Sequence, residues 1–235
     1  MKQSRGNQVE GGGRTGVLCA LPLELGCLAD QVTARLVRGG RELLEIKSGP
    51  HQLLACVSGV GKVQAAHATG LLIAEGISRL LIVGTCGGLR RHLGPGTLLH
   101  CEIALQTDLA VREGRESCAD SRILAAWRAE VPASAGYFLT ADRPVMSIWR
   151  RFRLARAFVG DCVADMESAA AAAVATRTGV PWGALRAVTD RAGPLGAGSF
   201  QVHYPAQAGR AADTIPDLLD RLESGQELPS YGQSR

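Results

Sequence analysis

The chain has few aromatic residues. Phe, Trp and Tyr make up 4% of its 235 residues, so its core must be built from Ala, Leu and Val. With 46% hydrophobic and 20% charged residues, that core can still be sizeable, and the length suits one large α/β domain. Cysteines are present without a framework: there are seven, an odd number, and no C-x-x-C occurs. Several lie in apolar runs, where a free thiol behaves as a small hydrophobe. This argues against a disulfide scaffold or a structural zinc site and leads to the expectation of a reducing cytoplasm. Histidines 51, 67, 92, 100 and 203 show no metal-ligand spacing. No metal and no organic cofactor is expected, and His67, in an apolar helical pattern, reads as a core residue. No stretch approaches the roughly 20 apolar residues of a membrane span. The opening MKQSRGNQVEGGGRT lacks the apolar region of a secretory signal and reads as a flexible tail over residues 1–14. ESGQELPSYGQSR reads as a second tail over 223–235. The net charge of +4 is mild and spread along the chain, so it points to neither nucleic acid nor membrane as a partner.

Between the tails, apolar runs and helical patterns alternate. TGVLCAL (15–21) reads as a buried strand, followed by LELGCLADQV with helical spacing. ELLEIKSG and HQLLACVSG read as strands around a turn at Gly49-Pro50. GKVQAAHATGLLIAEG reads as a helix stopped at Gly76, and RLLIVGTCGG as a strand running into a glycine turn. TLLHCEIALQTD and AGYFLTAD read as strands, SRILAAWRAEV and MSIWRRFRLARAF as amphipathic helices. CVADME leads into an alanine-rich helix, PWGALRAVTD is a strand, and a last helix is expected over about 206–222. Strands of nearly unbroken apolar residues between helices predict one α/β domain over 15–222, a three-layer sandwich around a mixed, mostly parallel twisted sheet. Ligands of such sheets bind beyond the carboxyl ends of the strands.

Candidate site residues stand at those ends. Glu24 follows the first strand, Glu167 opens the alanine-rich helix, and Asp190 closes RAVTD. Each position also suits a plain structural acid. Glu167 also reads as a favourable charge in a first helical turn behind an Asp165 cap, and Asp190 as a cap or turn residue. VGTCGG (83–88) is a run of small residues after a strand, through which backbone N–H groups approach a ligand, Gly87 among them. SGVGK (58–62) invites a phosphate-loop reading that fails. Cys56 stands where the first glycine is needed and Val63 where Ser or Thr is needed, so Lys62 is read as opening a helix.

Taken together, ALPLE (20–24), SGVGK (58–62), VGTCGGL (83–89), DMES (165–168), RAVTD (186–190) and Ser199-Phe200 resemble the nucleoside phosphorylase and nucleosidase superfamily. The likeness is to its 5′-methylthioadenosine/S-adenosylhomocysteine nucleosidase branch, in the family's order across most of the chain. The resemblance implies cleavage of a purine–ribose bond by a homodimer. It implies that Glu167 holds the ribose hydroxyls, that Met166 packs against the sugar, and that Asp190 protonates the leaving base, with Arg186 ordering the Asp190 loop or its strand. A carboxyl acting as a general acid must be protonated when the base leaves.

The nucleophile is read from the first-strand loop. Related bacterial purine phosphorylases carry Gly-Asp-Pro-Leu-Arg there, whose arginine grips phosphate. This chain has Ala20-Leu21-Pro22-Leu23-Glu24, and Ile82 stands in place of a second phosphate arginine. The resemblance therefore implies hydrolysis, with Glu24 orienting water and Thr85 hydrogen-bonding it. Arg90 and Arg91, after the glycine turn, are the alternative phosphate ligands of a true phosphorylase. Leu21, Val60 and Phe200 match apolar contacts of the 5′ group, and Val145 matches a residue beside the base. Pro144 replaces a stacking aromatic ring, and the segment between Leu89 and Thr140, which closes the neighbouring subunit's 5′ pocket in that branch, is shorter here. Both departures leave futalosine-like and adenosyl-hopane substrates open. WRRFRLAR (149–156) is the densest basic patch. It reads as a solvated helix face, with RNA or acidic membrane as the alternative, and Trp149 and Phe152 read as packing residues.

Overall fold

The computed structural model describes residues 13–224. Most of the two expected tails, 1–12 and 225–235, lies outside the described residues.

β1 (Thr15–Cys19) leads into a 3₁₀ segment over Pro22–Gln31, then β2 (Val32–Arg38), β3 (Arg41–Ser48) and β4 (His51–Val57). α1 (Lys62–Ala74), β5 (Arg79–Gly88), β6 (Leu98–Gln106) and the short β7 (Glu116–Cys118) follow. Next come α2 (Ser121–Glu130), β8 (Ser134–Thr140), α3 (Ile148–Ala157) and β9 (Asp161–Asp165). α4 (Ser168–Arg177), β10 (Trp182–Asp190), α5 (Gly196–Gln207) and α6 (Ile215–Glu223) complete the described residues.

All ten strands join one mixed sheet. β5 pairs in parallel with β10, β10 antiparallel with β6, β6 in parallel with β8, β8 in parallel with β9, and β9 antiparallel with β5 again. These five strands therefore close into a ring. β5 also pairs with β1, from which β4, β3 and β2 extend as an open wing. The mixed, helix-covered sheet read from the sequence is present, and the closure is an added feature. It follows from strong twist, which brings the Gly87–Gly88 end of β5 against Val163–Ala164.

Side chains alternate across the wing and feed two cores. Leu18, Leu54, Leu80 and Ile82 face α1 and α4. Val17, Leu53, Leu81 and Val83 face α2 and α6, where Trp127 and Leu218 pack. The alanines of α4 let that helix lie close on the sheet: Ala169, Ala171, Ala172 and Ala175 are buried there. Among the described residues, no helix is long and apolar enough to cross a membrane.

Several expectations need correction. The last helix is not continuous: α5 ends at Gln207, two 3₁₀ turns intervene, and α6 begins at Ile215 with Pro216 in its first turn. The segment after β1 is 3₁₀ rather than α, because Gly26 breaks it at φ +52°, where Gly209 packs against its backbone. α4 starts at Ser168 with Glu167 as its cap residue; Asp165 assists by accepting from the Ser168 N–H at 3.3 Å. His67 is exposed on α1 and accepts a hydrogen bond from Arg41 at 3.4 Å, since it falls on the solvent side of the helix. Trp149 and Phe152 do not pack inward: they are 80% and 54% exposed, because α3 turns Leu154 and Ala155 to the protein instead.

Candidate active site

The ends of β1, β5, β8, β9 and β10 surround a cavity of about 290 Å³. Glu24, Glu167 and Asp190, distant in sequence, all line it. So do Leu21, Val60, Thr85, Gly87, Val145, Met166, Arg186 and Phe200. Every site residue expected from the sequence thus reaches one cavity, although their roles are a separate matter.

Glu24 is 1% exposed and held from four directions. Its Oε2 accepts from the Ala20 and Leu21 N–H groups at 2.9 and 3.1 Å. Its Oε1 accepts from the Thr85 N–H at 2.9 Å and the Thr85 hydroxyl at 2.8 Å. A carboxylate has about four acceptor positions, and here the protein fills them all. Gly84 makes room for this acid. Its φ of +143° suits glycine, and a Cβ there would lie 2.8 Å from Glu24 Cδ.

Glu167 accepts from the Gly61 N–H at 2.9 Å through Oε1 and from Arg186 at 3.3 Å through Oε2. One acceptor position remains on each oxygen, and Glu167 lines the cavity. Burial pushes the Glu167 carboxyl above its ordinary range, against the pull of the Arg186 cation. Gly61 stands at φ +106° just before α1, so the SGVGK turn serves to aim an N–H at this acid.

Arg186 is 1% exposed. It donates to the Ser168 hydroxyl at 2.9 Å and the Thr85 carbonyl at 2.7 Å, and its Nε lies 3.1 Å from Asp165 Oδ2. Asp165 in turn accepts from the Thr140 hydroxyl at 2.5 Å. The sequence suggests that Arg186 orders the Asp190 loop or its strand; in the structure it bonds Thr85 on the paired strand β5 and stands beside Glu167 and Asp165. The side chain leaves β10 four residues before Asp190 and turns to the α4 end of the cavity.

Asp190 is half-buried, and burial raises its carboxyl above the ordinary value. The Thr189 hydroxyl donates to Oδ2 at 3.0 Å, and this contact, with His203 and Arg151, pulls the other way. Gly87 and Gly196 press against it: a Cβ on either would stand 3.2 and 3.0 Å from Asp190 Oδ1.

The reading missed Asp165 as a buried partner and Arg143, Met146 and Arg150 as cavity lining. Asp165 lies inside DMES, so its signal was present but masked by the neighbouring glutamate. Arg90, the alternative phosphate ligand, is committed to the carbonyls of Phe158 and Gly160 at 2.7 and 2.9 Å. Neither Arg90 nor Arg91 lines the cavity.

Fold and site define an α/β enzyme whose carboxyl groups converge on one largely apolar cavity at the ends of a mixed sheet. The chain belongs to the phosphorylase superfamily, whose family model matches residues 14–222. A 5′-methylthioadenosine/S-adenosylhomocysteine nucleosidase of Staphylococcus aureus (strain MRSA252) is 26% identical over 182 residues, 70% of this chain and 80% of the relative. In fold, the chain is similar to the S-adenosylhomocysteine nucleosidase of Streptococcus pyogenes, with a TM-score of 0.85 at 21% identity, covering 91% of this chain and 99% of that one. It is also similar to the futalosine hydrolase of Helicobacter pylori strain 26695, with a TM-score of 0.83 at 21% identity, covering 89% and 98%.

Proposed function

We propose that the chain hydrolyses the N-glycosidic bond of a 5′-substituted purine nucleoside and releases the free base. The observation that carries this reading is Glu24, an acid locked at the corner of the cavity where a phosphorylase needs a cation. A carboxylate repels phosphate but orients water. In the proposed reaction, the attacking water takes the acceptor position now held by the Thr85 hydroxyl, which turns to hydrogen-bond that water. The two free acceptor positions of Glu167 match the two ribose hydroxyls, and Met166 packs against the ring. Positive charge developing on the sugar is stabilised by these carboxylates. Protonated Asp190 donates to the departing purine, and its burial favours the protonated form. Val145 lies beside the base.

Leu21, Val60 and Phe200 form the wall for the 5′ group. The named nucleosidase relatives support a 5′-substituted adenosine type, with methylthioadenosine or S-adenosylhomocysteine as the reference compounds. Val60 is half exposed at this wall, which favours a bulkier 5′ substituent, of the futalosine or adenosyl-hopane kind, as the second reading. A homodimer belongs to the same proposal, supported by the exposed apolar Leu23 and Val63. So does a cytoplasmic setting, supported by seven cysteines without a disulfide.

The test is base release from a panel of 5′-substituted adenosines and inosines, with and without phosphate. Release independent of phosphate is expected, with the sugar freed as the 5-substituted ribose. The 5-substituted ribose-1-phosphate as product would overturn the role given to Glu24.

A further inference from the structure

We propose that the exposed face of α3 docks the protein on an anionic lipid bilayer. The segment from Arg143 to Gly160 contains Arg143, Arg150, Arg151, Arg153 and Arg156 and no aspartate or glutamate. Within it, Trp149 and Phe152 are largely exposed, and Met146, Ile148 and Val159 are exposed as well.

Helical geometry sorts these side chains. Residues 3.6 to the turn place Trp149, Phe152, Arg153 and Arg156 on one side of α3. Arg150 and Leu154 line the cavity and Ala155 is buried. Arg151 turns inward and donates to the Leu89 carbonyl at 3.2 Å. Past the helix, Arg90 grips the Phe158 and Gly160 carbonyls, and the next residue in the chain, Arg91, is exposed.

Exposed aromatic side chains among arginines on one short helical face, with the exposed aliphatic residues Met146 and Val159 just beyond its two ends, have a characteristic partner. Indole and phenyl rings settle at the headgroup level, aliphatic tips reach the acyl boundary, and guanidinium groups meet anionic headgroups. A second copy of the chain fits less well, because a two-fold contact centred on α3 sets arginines against arginines. Nucleic acid would satisfy the arginines but offers no partner to Met146, Ile148 and Val159. Trp149, Phe152, Arg153 and Arg156 do not line the cavity, so a soluble nucleoside reaches it without them.

The experiment uses the full-length chain and phosphatidylcholine vesicles with and without phosphatidylglycerol, read by flotation and tryptophan fluorescence. Trp127 and Trp182 are buried, so a blue shift on adding vesicles reports Trp149. Binding and a blue shift are expected only with phosphatidylglycerol, both weakened by salt. Trp149→Ala with Phe152→Ala should abolish them. Arg153→Gln with Arg156→Gln should weaken binding about fivefold for each charge removed. These four residues lie outside the cavity, so base release from soluble nucleosides should be unchanged in both variants, which separates lost docking from lost fold. Equal binding to both vesicle types overturns the proposal. So does a Trp149 already shielded in a lipid-free dimer that dissociates in the Trp149→Ala, Phe152→Ala variant, or an RNA duplex retained through the same arginines in place of vesicles.

Discussion

Gly84 and Glu24 occupy adjoining space, and the first exists in the form the second requires: an added Cβ would stand 2.8 to 2.9 Å from the Glu24 carboxylate atoms. Gly84→Ala should therefore push Glu24 off its four donors without removing it. A displacement of about 1 Å at a reacting group costs on the order of 10²-fold in rate. Turnover should fall by about that factor, and Glu24→Gln should fall at least as far. Steady-state base release decides it. A Gly84→Ala enzyme with wild-type turnover would show that the placement of Glu24 is irrelevant.

Asp190→Asn should lose about 10²–10⁴-fold in turnover, the contribution of a general acid. It should not lose stability. Burial holds the Asp190 carboxyl above its unfolded value, so between the two values the folded chain binds the extra proton. The stability tied to that proton is complete below the unfolded value and is lost as pH rises through the folded one. Near neutral pH the neutral asparagine escapes that loss. Thermal unfolding should give the variant a Tm equal to or above wild type at neutral pH, with the difference closing in acid. Wild-type kcat should decline as pH rises through the Asp190 titration in the bound complex. A pH-independent kcat would remove Asp190 as proton donor.

Much of this arrangement was legible because each site acid sits beside a strand end that its own segment announces. VGTCGG and RAVTD are apolar runs that stop in small or polar residues, and the strands follow directly. The ring closure was not legible. It depends on the β9–β5 pairing, which spans only Gly87–Gly88 and Val163–Ala164 and leaves no periodic trace. α5 was not assigned from the sequence: Gly196, Gly198 and Pro205 are poor helix formers, and contact with β10 overrides that weak propensity. Trp149 and Phe152 were misplaced because aromatic spacing of three identifies a shared helix side but not which side faces water. Asp165 was undervalued for a similar reason: sequence cannot distinguish a capping acid from one paired with a buried arginine.

Arg186 is the cation that permits two buried acids to stand side by side. Arg186→Met should leave Asp165 and Glu167 facing each other without compensation, a defect of about 3–5 kcal/mol. Urea unfolding near neutral pH should show that loss. In acid the Glu167 carboxyl, which burial holds above its ordinary value, takes up a proton, so the deficit should shrink. Arg186→Lys keeps the charge but not the planar fork that reaches Ser168, Thr85 and Glu167 together, and should recover only part of the stability. An Arg186→Met deficit that is equal at both pH values would mean that the loss comes from packing and not from unpaired charge.

Lys62 joins three parts of the site wall. Its Nζ lies 2.7 Å from Asp108 and 3.4 Å from Asp142, and the Asp142 N–H donates to Asp108 at 2.9 Å. Asp142 opens the loop that carries Pro144 and Val145 over the cavity, while the neighbouring Gly61 N–H holds Glu167. Burial works against the ammonium charge, yet Asp108 and Asp142 outweigh it and keep the Lys62 pKa above its ordinary value. The lysine thus acts as a positioning residue, with no contact to the reacting atoms. Because Asp142 is exposed, the pair with it adds little, and the clasp as a whole is worth about 1 kcal/mol, or roughly fivefold. Lys62→Met should raise KM by about that factor with kcat nearly unchanged, since the loop contributes equally to ground-state and transition-state binding. Lys62→Arg should restore KM. If kcat fell instead, in step with kcat/KM, the loop would be needed in the transition state, and Lys62 would belong to the catalytic apparatus and not to its frame.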